Sequence, residues 1–200
     1  MKNELRIIGG RWRSRKIRFP EIPGLRPTPD RVRETLFNWL RDDLDGARCL
    51  DLYAGSGALG LEAISRGAAR TVLVERDARA CAALQENLAL LAAGREIRVV
   101  RADVERFLRS QGEPFDLVFL DPPFHKGLVA NCCELLERGG WLTPSAKIYV
   151  EIESNLTPTP PAIGWNPLRS GTSGEVGYHL FQRRPPADAC APPTGMQSSS

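Results

Sequence analysis

Metal-binding chemistry is thin in this chain. It has two histidines, His125 and His179, and five cysteines, Cys49, Cys81, Cys132, Cys133 and Cys190. None of the cysteines forms a CxxC pair, and neither histidine has a partner at metal-ligand spacing. The adjacent Cys132 and Cys133 cannot chelate one ion in the usual geometry, so no metal site is expected. An odd cysteine count argues against a disulfide framework. No secretory leader pattern stands at the start, and no apolar run is long enough to span a bilayer. These absences point to the reducing cytoplasm and away from membranes. A large charge imbalance is also missing: 27 basic against 24 acidic side chains leave +3 over 200 residues.

What is present is unevenly placed. The opening stretch MKNELRIIGGRWRSRKIRF sets Lys2, Arg6, Arg11, Arg13, Arg15, Lys16 and Arg18 against the single acid Glu4. With Trp12 and Phe19 interleaved, such a run can hold a polyanion, or it can be a solvated basic tail. Residues 1–27 read as extended. PTPDRVRETLFNWL then opens a helix, with Thr28 as N-cap, Pro29 at the first helical position and Asp30 beside the positive helix end. Val32, Leu36, Trp39 and Leu40 fall on one face and need a docking surface.

From about residue 47 strands and helices alternate. ARCLDLYAG, TVLVER, IRVVRAD, FDLVFLD and AKIYVEIE read as strands. ALGLEAISRG, DARACAALQENLALLAAG, VERFLRSQ and GLVANCCELLERGG read as helices, the first two closed by Gly67 and Gly94. This order predicts an α/β fold with a parallel sheet covered on both faces. WNPLRSG and EVGYHLFQRR, joined by TSG, predict a closing antiparallel hairpin. The expected organisation is a basic arm and helix over 1–45, an α/β domain over 46–184 and a disordered tail over 185–200.

Two stretches carry chemistry. In DLYAGSGALG, Gly55, Gly57 and Gly60 have GxGxxG spacing between a strand and a helix, which suits a tight turn at a helix N-terminus. A simple turn is the competing reading. Glu75 ends the next strand, where it can accept two ribose hydroxyls. Asp103 follows the third, where it can accept from an adenine amino group. Helix capping is the alternative role for each. Together they place an adenosine across the carboxyl edge of the sheet. Nicotinamide dinucleotide and S-adenosylmethionine both contain that moiety. Asp51, ending the first strand, can support an ammonium group, and the fourth strand ends in DPPF. Both features favour the sulfonium cofactor.

An exocyclic base amine is a poor nucleophile because its lone pair is delocalised into the ring. Acceptors on both of its N–H groups free that pair and stabilise positive charge as a methyl arrives. The Asp121 carboxylate and the Pro122 carbonyl can be those acceptors. The pair Pro122 and Pro123 has no competing N–H, and its fixed φ holds the carbonyl outward. Phe124 can stack on an extruded base. The competing reading is that the prolines end a strand and Phe124 fills the core. His125 and Lys126 read as solvated.

DLYAGSGALGLEA with DPPF resembles the class I S-adenosylmethionine-dependent amino-methyltransferases. RIIGGRWRSRKI followed by LRPTPDRVRETLFNWL is similar to the bacterial 16S ribosomal RNA guanine-N2 methyltransferases of the RsmD type. The likeness runs from about Arg6 to Arg183 and includes WL, IYVE and the closing hairpin. It implies a Rossmann-like seven-stranded methyltransferase sheet, mostly parallel, whose last hairpin is antiparallel. It implies methylation of the N2 amine of one guanine in 16S rRNA, within the small subunit or an assembly intermediate, by a cytoplasmic monomer. The catalytic residues would be Asp121, Pro122, Pro123 and Phe124. The cofactor would meet Thr28, Arg31, Asp51, Tyr53, Ala54, Gly55, Ser56, Gly57, Glu75, Arg76, Asp103, Val104 and Asp121. Thr28 and Arg31 match a segment that closes over its methionine end, where Arg31 can pair with a carboxylate. Arg11, Arg13, Arg15 and Lys16 would contact RNA phosphates. The turn Gly171 to Tyr178 departs from the family pattern and is assigned no role. A DNA or other RNA amino-methyltransferase acting on adenine or cytosine, a nicotinamide oxidoreductase and a non-catalytic assembly factor are the competing functions.

Overall fold

Short β-branched runs bounded by glycine, alternating with helical periodicity, fold as that pattern requires. The computed structural model describes residues 2–25, 27–156 and 164–184. In chain order the elements are β1 (Lys2–Arg6), β2 (Lys16–Pro20), α1 (Asp30–Trp39), β3 (Arg48–Leu52), α2 (Ala58–Ser65), β4 (Arg70–Glu75), α3 (Ala78–Leu90) and β5 (Ile97–Arg101). Then come α4 (Val104–Leu108), β6 (Phe115–Leu120), α5 (Leu128–Arg138), β7 (Leu142–Glu153), β8 (Trp165–Ser173) and β9 (Val176–Arg183). The main sheet has seven strands in the order β5-β4-β3-β6-β7-β9-β8. Strands β3 to β7 pair in parallel, and β9 runs antiparallel to both of its neighbours. This is the sheet expected from the sequence, closing hairpin included.

Each face of the sheet carries its own core. One contains Cys49, Leu117, Phe119, Tyr149 and Leu180 and is covered by α1, α2 and the N-terminal strands. The other contains Leu50, Val72, Val118, Ile148 and Phe181 with α4 and α5. Alternate side chains of one strand feed opposite cores, as the pleat dictates.

Three local expectations are corrected. Residues 1–27 are not simply extended: β1 and β2 form an antiparallel pair. Trp12 and Phe19 are buried in the core beneath it and are not free to stack on a polyanion. The hairpin is held because Glu62 of α2 accepts from the Ile8 and Gly9 amides, at 2.8 and 2.7 Å. The chain also passes Gly10 against α2 so closely that a Cβ there would lie 1.7 Å from the Ser65 carbonyl oxygen. Thr28 does not cap α1. Pro29 occupies that position without a side-chain bond, because the Thr28 hydroxyl is turned to Glu151. Helix α3 ends before Gly94, with Ala92 taking the left-handed position at φ 50°. The tail over 185–200 lies outside the described residues. Among the described residues no helix is long and apolar enough to cross a membrane.

Candidate active site at the carboxyl edge of the sheet

The parallel strands deliver a set of acids to one edge. Leu52 pairs with Leu120, and Leu120 with Val150, so Tyr53, Asp121 and Glu151 follow side by side. Cys49, Phe119 and Tyr149 point into the core covered by α1 and α2. Two residues on, Asp51, Asp121 and Glu151 continue that same face. Asp51 and Glu151 are only 2% and 3% exposed. Among the described residues none of the three forms an ion pair with lysine or arginine. Burial raises Asp121 well above the usual carboxylate range, and Glu151 and Asp51 add to the rise. An uncompensated acidic cluster of this kind favours a cationic ligand.

The loop after β3 is strained around that cluster. Tyr53 stands at φ 63°, a rare region for a side chain of its size. Its hydroxyl lies 3.4 Å from Cys132 Sγ on α5. Gly55 and Gly57 also have positive φ, and a Cβ on Gly57 would meet Leu84 Cδ2 at 2.5 Å. Ala54 and Ser56 are buried, and Ser56 Oγ accepts the Ala58 amide. Glu75 braces the loop: its carboxylate accepts from the Gly55 amide at 2.9 Å and the Asp77 amide at 2.7 Å. Each oxygen keeps acceptor capacity for a hydroxyl. Asp103 caps α4 through the Arg106 amide and lines a surface hollow with Arg101, Arg106 and Phe107. For these two acids the capping or bracing role exists and leaves the binding role open geometrically. Arg76 is exposed, whereas Val104 is buried in the core.

Asp51 lies deeper than the sequence suggested. Its Oδ2 accepts the Gly60 amide at 2.8 Å beneath the first turn of α2. Burial raises it to about 7; the Gly60 bond opposes this, and Glu75 and Glu151 add to it. The folded chain therefore holds a proton that the unfolded chain releases near pH 4. The stability tied to Asp51 is full below about pH 4 and is lost as pH rises to about 7. Asp51→Asn keeps an acceptor for Gly60 and is expected to flatten the fall in urea midpoint between about pH 5 and 7. An unaltered fall would assign it to other groups.

The DPPF segment stands where the sequence placed it. Asp121 is half-buried, Pro122 buried, Pro123 exposed and Phe124 half-buried. Among the described residues the Asp121 carboxylate takes no hydrogen bond, and no backbone amide binds the Pro122 carbonyl. Pro122, Pro123, Phe124, Leu128, Glu151 and Ile152 line one cleft of about 400 Å³. His125 is exposed, as expected, but its amide donates to Glu153 Oε1 and tethers the loop to the end of β7.

The strap leading into α1 reaches both halves of the site. Leu25 packs over Gly55, and the Thr28 hydroxyl donates to Glu151 Oε1 at 3.0 Å. Arg31 is exposed on α1 and forms no ion pair among the described residues. Arg11, Arg13, Arg15 and Lys16 are brought together, but at the opposite edge. Arg11 pairs with Glu96 ahead of β5 and lies over the Trp12 ring, 4.3 Å from its centroid. Arg15 donates to the Leu90 carbonyl at the end of α3, and Lys16 pairs with Glu4. The length of α3, 13 residues or about 20 Å, separates them from the carboxyl edge.

Sequence reasoning missed Glu151 as a member of the site. The available signal was the one that singled out Asp121: an acid ending a buried apolar strand, here after Ile148, Tyr149 and Val150.

The chain matches a family model described as conserved hypothetical protein 95 over residues 5–182. It is 52% identical over 181 residues to the ribosomal RNA small subunit methyltransferase D of Escherichia coli, covering 90% of each chain. It is 45% identical to the protein of the same name from Haemophilus influenzae, covering 90% of this chain and 95% of that one. Among solved structures, Escherichia coli yhhF superposes with a TM-score of 0.84 at 51% identity, covering 91% of this chain and 99% of the other.

Proposed function

Because the chain belongs to the conserved hypothetical protein 95 family, to which its likeness extends over residues 5–182, we propose that it is a ribosomal RNA methyltransferase. It transfers a methyl group from S-adenosylmethionine to the exocyclic N2 amine of one guanine in the 16S RNA of the small subunit. The observation that carries this reading is the pair of open acceptors, the Asp121 carboxylate and the Pro122 carbonyl, one strand from the glycine loop.

The residues present suit the donor. Among the described residues the acids Asp51, Asp121 and Glu151 have no basic partner, which favours a ligand carrying positive charge. Glu75 would hold the ribose, Asp103 the adenine amine, and Arg31 the carboxylate, with Leu25 and Thr28 closing over the loop. When bound, S-adenosylmethionine supplies a methyl group already activated on positive sulfur, so no covalent link to the protein is needed.

Asp121 and Pro122 accept the two N2 hydrogens and free the lone pair, while Phe124 supports the flipped ring. The freed amine would take the methyl group that the bound donor supplies, the carbon–sulfur pair staying with sulfur. One N2 proton leaves to an Asp121 oxygen. Positioning and the acidic field supply the catalysis.

Arg11, Arg13, Arg15 and Lys16 would bind phosphates of RNA that continues past the target loop to the opposite edge. The reading also makes the protein a cytoplasmic monomer that acts on the small subunit or an assembly intermediate. The test is incubation with labelled S-adenosylmethionine and undermodified small subunits, free ribosomal RNA or DNA, followed by nucleoside analysis. N2-methylguanosine from small-subunit RNA is expected. Label only in DNA, or only as methyladenosine, would overturn the reading.

A further inference from the structure

The mechanism above gives one buried acid of the cleft no part in holding the base. Glu151 is the neighbour of Asp121 on the adjacent parallel strand, about 5 Å away by strand spacing. Its carboxylate is oriented by two hydroxyls that both donate to Oε1, Tyr149 at 2.8 Å and Thr28 at 3.0 Å. The second oxygen, Oε2, takes no hydrogen bond from the described residues, and Glu151 lines the same cleft as Pro122 and Phe124. The cleft thus presents an acceptor beside the two acceptors assigned to the reacting amine.

The bases differ at this point. In guanine one of the two ring nitrogens flanking the N2 amine, N1, carries a hydrogen. In adenine and cytosine the ring nitrogen next to the amine is unprotonated and is itself an acceptor. A carboxylate facing that nitrogen completes guanine and repels the other two. We propose that Glu151 is the specificity-determining residue of the site, accepting the guanine N1–H while Asp121 and Pro122 hold N2. The inference rests on the methyltransferase reading and adds the reason for its base. Burial raises Glu151, and the Tyr149 and Thr28 bonds oppose that rise and favour the ionised acceptor. A buried group left facing the wrong partner is heavily penalised, which is how polar pockets reach discrimination of about 10⁴–10⁵.

The test pairs a substrate change with a protein change. Small-subunit RNA is splint-ligated with either guanine or 2-aminopurine at the methylated position. 2-Aminopurine keeps the amine but has an unprotonated N1. Wild-type protein is expected to prefer guanine by about 10³ in kcat/KM. E151Q, whose amide can donate to that nitrogen, is expected to lose about 10²-fold on guanine and to gain on 2-aminopurine. Its affinity for S-adenosylmethionine, measured by calorimetry, should fall far less than its kcat/KM on guanine, because the glutamine keeps the side-chain volume and Asp51 and Asp121 remain. A loss shared equally by both bases, or confined to cofactor affinity, would overturn the proposal. If E151Q does not fold, wild-type protein that methylates 2-aminopurine as fast as guanine overturns it equally. Wild-type protein that methylates no guanine at N2 would instead sink the methyltransferase reading itself.

Discussion

Asp121→Ala is expected to lower kcat by about 10²–10³, the usual consequence of removing one preorganised group that stabilises developing charge. Its carboxylate takes no hydrogen bond from the described residues, so its removal breaks no internal network. Burial, with the nearby Glu151 and Asp51, makes its ionised form costly in the folded state, so its loss gives up no favourable ion pair. The folded state should therefore be no less stable, and its melting temperature should not fall. RNA affinity should change by no more than about threefold, the effect of an ordinary substitution. Since the contact strengthens as the amine gains charge, kcat and kcat/KM should fall together. Single-turnover methylation of small-subunit RNA, beside a binding titration, separates these quantities. Equal losses in binding and turnover would make Asp121 a structural residue. Asp121→Asn retains one acceptor and should fall between wild type and alanine.

A loss of stability, not of chemistry, is expected at the far end of α2. Glu62 is fully buried and accepts from the Ile8 and Gly9 amides, from Arg66 at 2.7 Å and from Arg33 at 3.5 Å. Arg33 is also fully buried. Among the described residues it reaches, besides Glu62, only the Arg6 carbonyl and Asp30, and its Nε has no partner there. Glu62→Ala would leave that guanidinium with only the exposed Asp30 as counter-ion among the described residues and take the acceptor from the Ile8 and Gly9 amides. Breaking a buried pair in this way costs about 3–5 kcal/mol. For a domain near 200 residues this is a fall of roughly 6–20 °C in melting temperature. Calorimetry checks it. Arg33→Met combined with Glu62→Leu removes both charges and should recover much of the loss. A double variant as unstable as Glu62→Ala would assign the cost to lost volume. The hub ties β1, α1 and α2 together, so the basic hairpin depends on an interior ion pair and not on its own surface charges. Exposed pairs such as Lys16 with Glu4 contribute little by comparison.

How much was legible differs from residue to residue. The candidate residues Asp121, Pro122 and Phe124 stood out in the sequence because a strand period ends abruptly in residues that cannot continue it. Gly57 could be found because its turn needs a left-handed backbone and leaves no room for a Cβ beside Leu84. Trp12 and Phe19 were misread because interleaved charge hides burial: the arginines of that hairpin stay at the surface while the rings enter the core. Thr28 was misread because a threonine before Pro-Asp suits an N-cap locally. The competing partner, Glu151, lies 123 positions away.

By itself the sequence determined the alternation of strands and helices, the strained glycine turn and the acid-proline ending of β6. These depend on period, φ and the missing amide of proline, all properties of neighbouring residues. Only the tertiary structure decided that Glu151 stands beside Asp121, that Thr28 latches the strap to it, and that the basic turn sits at the opposite edge. Strand register and the packing of one element on another bring together side chains that share no local signal, and no window of sequence contains both partners.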